Sequence, residues 1–375
     1  MQEKIIEGIN KTGFKLEFEI SKALRSNNWN VINSKYYLDD VSGIAREMDI
    51  VAYKVTKVKH LYVYTALIIS CKKNEESAWA LLSKKIDVSD PNVEWAPLHL
   101  WSNDKVIKHL SGLDNWKNDY IESVEINGSK LLSRVKENQI FAFQEINKKN
   151  GVPKNDKNIF NSINSLMKAQ SYEINALNSR KEETSIYQFN LISIMDTELF
   201  RVDFTDENIT ASSVEDEFYI SDYIIDKKQT SSKIHFINSK KIENKLKKYS
   251  ELHEANVKSL DEAHETFFST IMDDIDSYNL FNDEIENEIF WSCRRSLATG
   301  GFGFVDIRKA DLMLYWNSIR GILVLEVSLI KVQVECLNND PDVRKKLSEC
   351  LNKYLSFSGK AEFASIFNEE IYPIK

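Results

Sequence analysis

The sequence predicts a mixed α/β (α+β) protein: a mixed central sheet flanked by helices, interrupted by an insertion and followed by a mixed or helical C-terminal domain. Three observations carry this. Residues 13–28 form an amphipathic helix, followed by three segments rich in β-branched and aromatic residues, 29–38, 47–55 and 61–72. Residues 156–178 form a second long helix. Further strand-like segments, 187–196, 198–204, 217–225 and 233–237, come after it, so strands stand on both sides of that helix in the chain.

Taken in order, Glu17, Ile20, Ala23 and Leu24 recur at helical spacing in the first helix. The runs WNVINSKYYL, EMDIVAYKV and LYVYTALIISCK read as three successive strands. Residues 74–151 read as an insertion of mixed structure, with a short helix around Trp79 (77–85) and a short strand over 95–101. In the second helix Ile159, Ile163, Leu166, Gln170, Ile174 and Leu177 share one face, and Asp156 offers an N-cap. Segments 187–196 and 198–204 read as a hairpin, and the chain is helical again from Lys240. A length of 375 residues favours two domains. The boundary is expected near residue 260, giving domains 1–260 and 261–375, with residues 260–289 helical and acidic. No internal repeat is legible.

Composition narrows the function classes. A net charge of −8 argues against a protein that coats nucleic acid nonspecifically, so any such contact needs a local basic patch. The Lys-rich stretch 227–248 is one candidate, its plainer reading being a solvated helix face. The four cysteines show no CxxC pair, which fits reduced thiols. The first residues lack an apolar signal region, and the apolar run 321–334 contains Glu326 and Lys331 and is too short to span a bilayer. A cytoplasmic protein with no membrane contact is expected.

The chemistry concentrates in the first 72 residues. Glu17 lies on the apolar side of the first helix, Asp49 lies within an apolar strand, and Ser70 and Lys72 flank Cys71 on the next. Residues i and i+2 of a strand share a face, so Ser70 and Lys72 should project together, with Asp49 beside them. A charge within an apolar strand is costly unless paired or metal-bound. Hydrolysis of a phosphodiester needs a hard cation held by carboxylate oxygens, and a nearby lysine to orient water or stabilise charge. The plainer alternative is an Asp49–Lys72 ion pair in an ordinary sheet.

The segments LEFEISKALRSNNWNV, REMDIVAYK and LIISCKK together resemble the PD-(D/E)XK nuclease superfamily, most closely its Mrr-type restriction-endonuclease-like branch. The likeness is close over residues 10–75 and loose to about 250. It implies a restriction-endonuclease-like core. It also implies a metal site of Glu17, Asp49 and Ser70 holding Mg²⁺ (Mn²⁺ as the alternative), and Lys72 as the lysine of the motif. Glu19 is the weaker alternative to Glu17 because it falls off the Ile20/Leu24 face. Met48 stands where the name-giving proline would be, and Ser70 stands where the family places an acid or glutamine. The implied activity is metal-dependent DNA hydrolysis in bacterial restriction or phage defence, with DNA as partner and RNA as a weaker one. A homodimer or a defence-system partner protein is left open. The rival reading is a nuclease-fold subunit that has lost catalysis and serves in nucleic-acid binding or assembly. Gln170, on the apolar face of the second helix, is a secondary catalytic candidate, set against a satisfied buried amide.

Other signals carry less. His253-Glu254 and His264-Glu265 do not extend to HExxH. The glycine-rich ATGGFGFVD reads as a turn, and Asp311 with Glu326-Val327-Ser328 echoes the nuclease spacing without its lysine, which reads as coincidence. Trp29, Trp79 and Trp95 could stack on bases but are expected to pack internally.

Overall fold

The computed structural model describes residues 1–39, 42–87, 90, 93–135, 137–205, 208–303 and 312–367. It is a mixed α/β structure that divides into two compact units, Met1–Asp261 and Glu262–Lys375.

The first unit opens with α1 (Gln2–Asn10), α2 (Phe14–Ser26), β1 (Asn30–Leu38), β2 (Ala45–Val58) and β3 (Leu61–Lys73). Next come β4 (Ser77–Lys85), β5 (His99–Ser102), α3 (Lys105–Ser111), α4 (Trp116–Ile126), β6 (Asn138–Asn147) and β7 (Pro153–Lys154). The chain continues with α5 (Lys157–Arg180), β8 (Ser185–Asp196), β9 (Leu199–Phe204), β10 (Ile209–Val214), β11 (Asp216–Ile225), β12 (Lys228–Asn238) and α6 (Ile242–Thr270). Seven strands form the main sheet in the order β1-β2-β3-β8-β12-β11, with β5 also on β8. β2 and β3 are antiparallel, whereas β3 runs parallel to β8. A second sheet has the order β10-β9-β4-β6-β7.

Alternation along β3 explains the layers. Leu67, Ile69 and Cys71 enter one core with Leu16, Ile20 and Leu24 of α2 and the apolar side of α6. Ala66 and Ile68 enter the other, with α5 and strands β4, β6 and β9 of the second sheet. A strand buried on both faces reads as a continuous apolar run, as this one does. Leu16, Ile20 and Leu24 of α2 are buried, and each contributes about 2 kcal/mol of apolar burial, fixing the helix that carries Glu17.

Several expectations are corrected. Residues 77–85 are a strand, not a helix: SAWALLSKK has helix-favouring residues, but burial on both faces of the second sheet overrides propensity. β8 and β9 do not form a hairpin. β9 lies parallel to β4 in the second sheet, and the Asp196-Thr197-Glu198 connection is held at the kink by Trp79 N–H donating to the Glu198 carbonyl and Thr197 Oγ1 to the Ser77 carbonyl. No glycine stands at that connection, as a tight hairpin turn would favour. The strand expected over 95–101 starts only at His99, and it joins the main sheet through β8. Asp156 occupies the N-cap of α5 without a capping side-chain bond; Asn155 Oδ1 instead accepts from Lys157 N–H at 2.8 Å.

The second unit contains α7 (Ile275–Asn279), α8 (Asn282–Thr299), β13 (Met313–Asn317), β14 (Ile322–Val327), α9 (Lys331–Asn339), α10 (Pro341–Leu355) and β15 (Lys360–Ser365). Its sheet has the order β13-β14-β15, with β13 antiparallel and β15 parallel to β14. A helix, an antiparallel strand pair, a helical crossover and a parallel strand therefore follow one another; α2, β2, β3, α5 and β8 come in the same order, with β1 and the elements from β4 to β7 set between them. The sequence alone does not display this repeat of topology. No helix among the described residues is long and apolar enough to cross a membrane.

Candidate metal and catalytic centre

The centre forms where β2 and β3 meet the start of α2. The register Ile50↔Ile69 sets Asp49 across from Ser70, and the Cys71 amide donates to Asp49 Oδ2 at 2.6 Å. Lys72 Nζ lies 3.8 Å from the same oxygen, and both side chains remain partly exposed. A short charge-assisted bond from a backbone amide fixes the carboxylate without neutralising it.

The edge strand explains how Asp49 reaches residues that belong to different faces. Ser34 of β1 has φ 51°, the left-handed region that a serine rarely enters, and it stands across from Asp49 between the pairs Asn33↔Ile50 and Lys35↔Met48. Asn33 bonds Ser21 and Arg25 of α2, yet Lys35, two residues on, pairs with Glu173 of α5 at 2.6 Å. The ribbon turns over at this point. Asp49 sits at the turn, within electrostatic reach of Glu17 on one layer and Lys72 from the other.

Glu17 is half-buried, and its acid is pushed above the usual carboxylate value. Burial is the main cause, the negative charges of Asp49 and Glu47 add to it, and Lys72 opposes. Glu17 thus sits among like charges that a cation would relieve. Glu19 points elsewhere, exposed and paired with Lys15 at 3.9 Å. The Cys71 thiol is buried on the other face, and burial, followed by Asp49 and Glu17, pushes it well up, so it is no thiolate nucleophile.

Ser70 is 4% exposed, and its hydroxyl has no hydrogen-bond partner among the described residues. It lines a small pocket with Glu47, Met48, Asp49, Ser165, Leu166 and Ala169. An orphan hydroxyl in such a place has a cost of roughly 1–3 kcal/mol unless a ligand or water meets it. Glu17, Glu47 and Asp49 do not draw their oxygens together within 4.8 Å as a trio. Carboxylate and hydroxyl oxygens are donors of the kind a hard divalent cation takes.

The structure sets Asp49 beside Lys72 and in one pocket with Ser70, and Glu17 on α2 lies within reach of the Asp49 and Lys72 charges; Gln170 is not among the pocket residues. Gln170 is 2% exposed and accepts from Ser232 Oγ at 3.2 Å, and Ser232 in turn meets His99 Nε2 at 3.1 Å. Its amide oxygen ties α5 to β12, and it does not line the pocket, although Ala169 beside it does. Glu47 was not singled out from sequence; its position two residues before Asp49 on a strand was the available signal.

Of the eight lysines in 227–248, Lys233, Lys241 and Lys245 are engaged internally, while Lys227, Lys228, Lys240, Lys247 and Lys248 are exposed. Lys233 Nζ caps the carbonyls of Leu131 and Ser133 at 2.8 and 2.9 Å, Lys241 pairs with Glu215 at 2.7 Å, and Lys245 pairs with Asp216. Trp29, Trp79 and Trp95 are buried and unavailable for stacking. Asp311 lies outside the described residues. Compared with protein-family models, with curated proteins and with solved structures, the chain matches none.

Proposed function

We propose that this chain is a Mg²⁺-dependent nuclease hydrolysing DNA phosphodiester bonds, of the kind used in bacterial restriction or phage defence. The observation that carries the reading is the convergence of Asp49 and Lys72, 3.8 Å apart on neighbouring strands, beside a half-buried Glu17 whose like-charged neighbours favour a cation. Asp49 and Glu17 would hold the ion, with Ser70 as a neutral oxygen donor beside them. When bound, the ion polarises a phosphoryl oxygen and makes a water acidic enough to attack. The Cys71 amide holds the Asp49 carboxylate in orientation. Lys72, partly exposed, is placed to orient the attacking water or to stabilise charge developing on the phosphate. Mn²⁺ should substitute well, since it binds mixed sites more readily than strongly hydrated Mg²⁺.

A second reading, a subunit that has lost catalysis and binds or assembles, draws on Ser70: a neutral hydroxyl leaves the site one charge short of an acid-bearing one. Plasmid cleavage with Mg²⁺ or Mn²⁺ tests both. The nuclease reading expects cleavage that Asp49→Ala and Lys72→Ala abolish in folded protein. Cleavage that persists in Asp49→Ala overturns it, and intact plasmid with wild type, together with retained DNA binding, favours the second.

A further inference from the structure

We propose that Glu47 is the third carboxylate of the cation site, standing in for the acid that position 70 lacks. The inference rests on the metal-centre reading of Asp49 and Glu17 and adds a residue to it.

Glu47 lies two residues before Asp49 on β2 and is exposed, so its side chain reaches a bound ion without first breaking a packed contact. Glu47, Asp49 and Ser70 line one pocket between the ends of β2 and β3 and helix α5. The charge of Glu47 is also felt by Glu17 across the site. The independent observation is Ser70: at 4% exposure it places a hydroxyl with no partner among the described residues in that same pocket. A buried, unsatisfied oxygen bordered by two carboxylates is short of a donor or a cation. The serine is too short and too neutral to complete an ion's shell alone, and the nearest longer acid on the pocket wall besides Asp49 is Glu47. Closure of Glu17, Glu47 and Asp49 around an ion requires side-chain movement, since their oxygens are not all within 4.8 Å without one.

The test is calorimetric titration of the full chain with MnCl₂, with circular dichroism on each variant to verify folding. Glu47→Gln keeps the size and removes the charge of an exposed residue, so folding should be retained. Mn²⁺ affinity should fall by about tenfold or more in Glu47→Gln, because affinity tracks ligand charge. Adding Ser70→Asp to Glu47→Gln returns the charge from the other strand and should recover most of the loss. Full affinity in Glu47→Gln with binding lost in Asp49→Ala would overturn the role of Glu47 while leaving the centre in place. Loss in Glu47→Gln that Ser70→Asp fails to recover would overturn the claim that Glu47 stands in for position 70. Unchanged binding in both Glu47→Gln and Asp49→Ala would overturn the metal centre itself.

Discussion

His253 on α6 offers a quantitative test of how the strands behind the centre are held. Its Nε2 lies 2.9 Å from Thr56 Oγ1 on β2 and its Nδ1 3.1 Å from Thr65 Oγ1 on β3, so one ring clasps the two strands that carry Asp49 and Lys72. Asn256 Nδ2 donates to the same Thr65 hydroxyl at 2.9 Å. Burial first, and the positive charge of Lys54 second, push His253 from an ordinary 6.5 down to about 4. The unfolded chain therefore takes up the proton before the folded one does. The stabilisation is complete above pH 6.5 and is lost as pH falls from 6.5 toward 4. For that pair of values, acidification from pH 7 to pH 5 costs the fold about 2 kcal/mol. Urea denaturation followed by tryptophan fluorescence reads this, since Trp29, Trp79, Trp95, Trp101 and Trp116 are all buried in the first unit. His253→Gln should be less stable at pH 7 but should lose about 2 kcal/mol less than wild type between pH 7 and 5. His99 and His235, whose burial also pushes them down, are present in both proteins and cancel in the comparison. Identical pH slopes for the two proteins would refute the assignment.

Asp49→Ala and Lys72→Ala should each lower the Mn²⁺-dependent cleavage rate by about a thousandfold or more, the scale of a lost metal ligand or charge-stabilising group, with circular dichroism unchanged. Gln170→Ala should leave the cleavage rate at wild-type level while costing about 1–3 kcal/mol of stability through the stranded Ser232 partner, read by denaturation; a selective loss of rate would return Gln170 to the centre. Glu326→Gln in the second unit should leave cleavage unchanged in the same plasmid assay, and abolition would move the chemistry there.

Legibility followed the range of the interactions. α2 and strands β1 to β3 were readable because their periodicity is local and their side chains meet neighbours close in sequence. The fates of β4 and β9 were not, because each leaves the main sheet to pair with the other about 120 residues away, and short segments of Ala, Leu, Phe and Val carry no mark of which sheet they join. Within the centre, Asp49 and Lys72 stood out as charges in apolar strands. Glu47 did not, because its place on the pocket wall beside Ser70 depends on how β2 and β3 meet α5. Gln170 was visible as a polar residue on an apolar face, but only the structure supplies Ser232 as its partner. Within 227–248 the sequence could not separate Lys233, Lys241 and Lys245, which meet carbonyls and carboxylates, from the lysines that stay exposed as on a solvated face.

The second unit shares part of the topology of the first. Leu16-Glu17-Phe18-Glu19-Ile20 in α2 is matched in α8 by Ile285-Glu286-Asn287-Glu288-Ile289, with the first and last residues of each stretch buried. β14, like β3, has an antiparallel neighbour on one side and a parallel one on the other, and it carries Glu326 near its end with Ser328 just beyond. The sequence echo around Glu326 therefore lies on a strand paired as β3 is. The two units differ in what each keeps. The first has a lysine at position 72 and a serine at 70; the second has a glutamate at 326 and a serine two residues later. A lysine beside a carboxylate can orient water or meet charge developing on phosphate. On the proposed reading, then, chemistry belongs to the unit with Lys72, and the loss of an acid at position 70 is the defect that Glu47 has to offset.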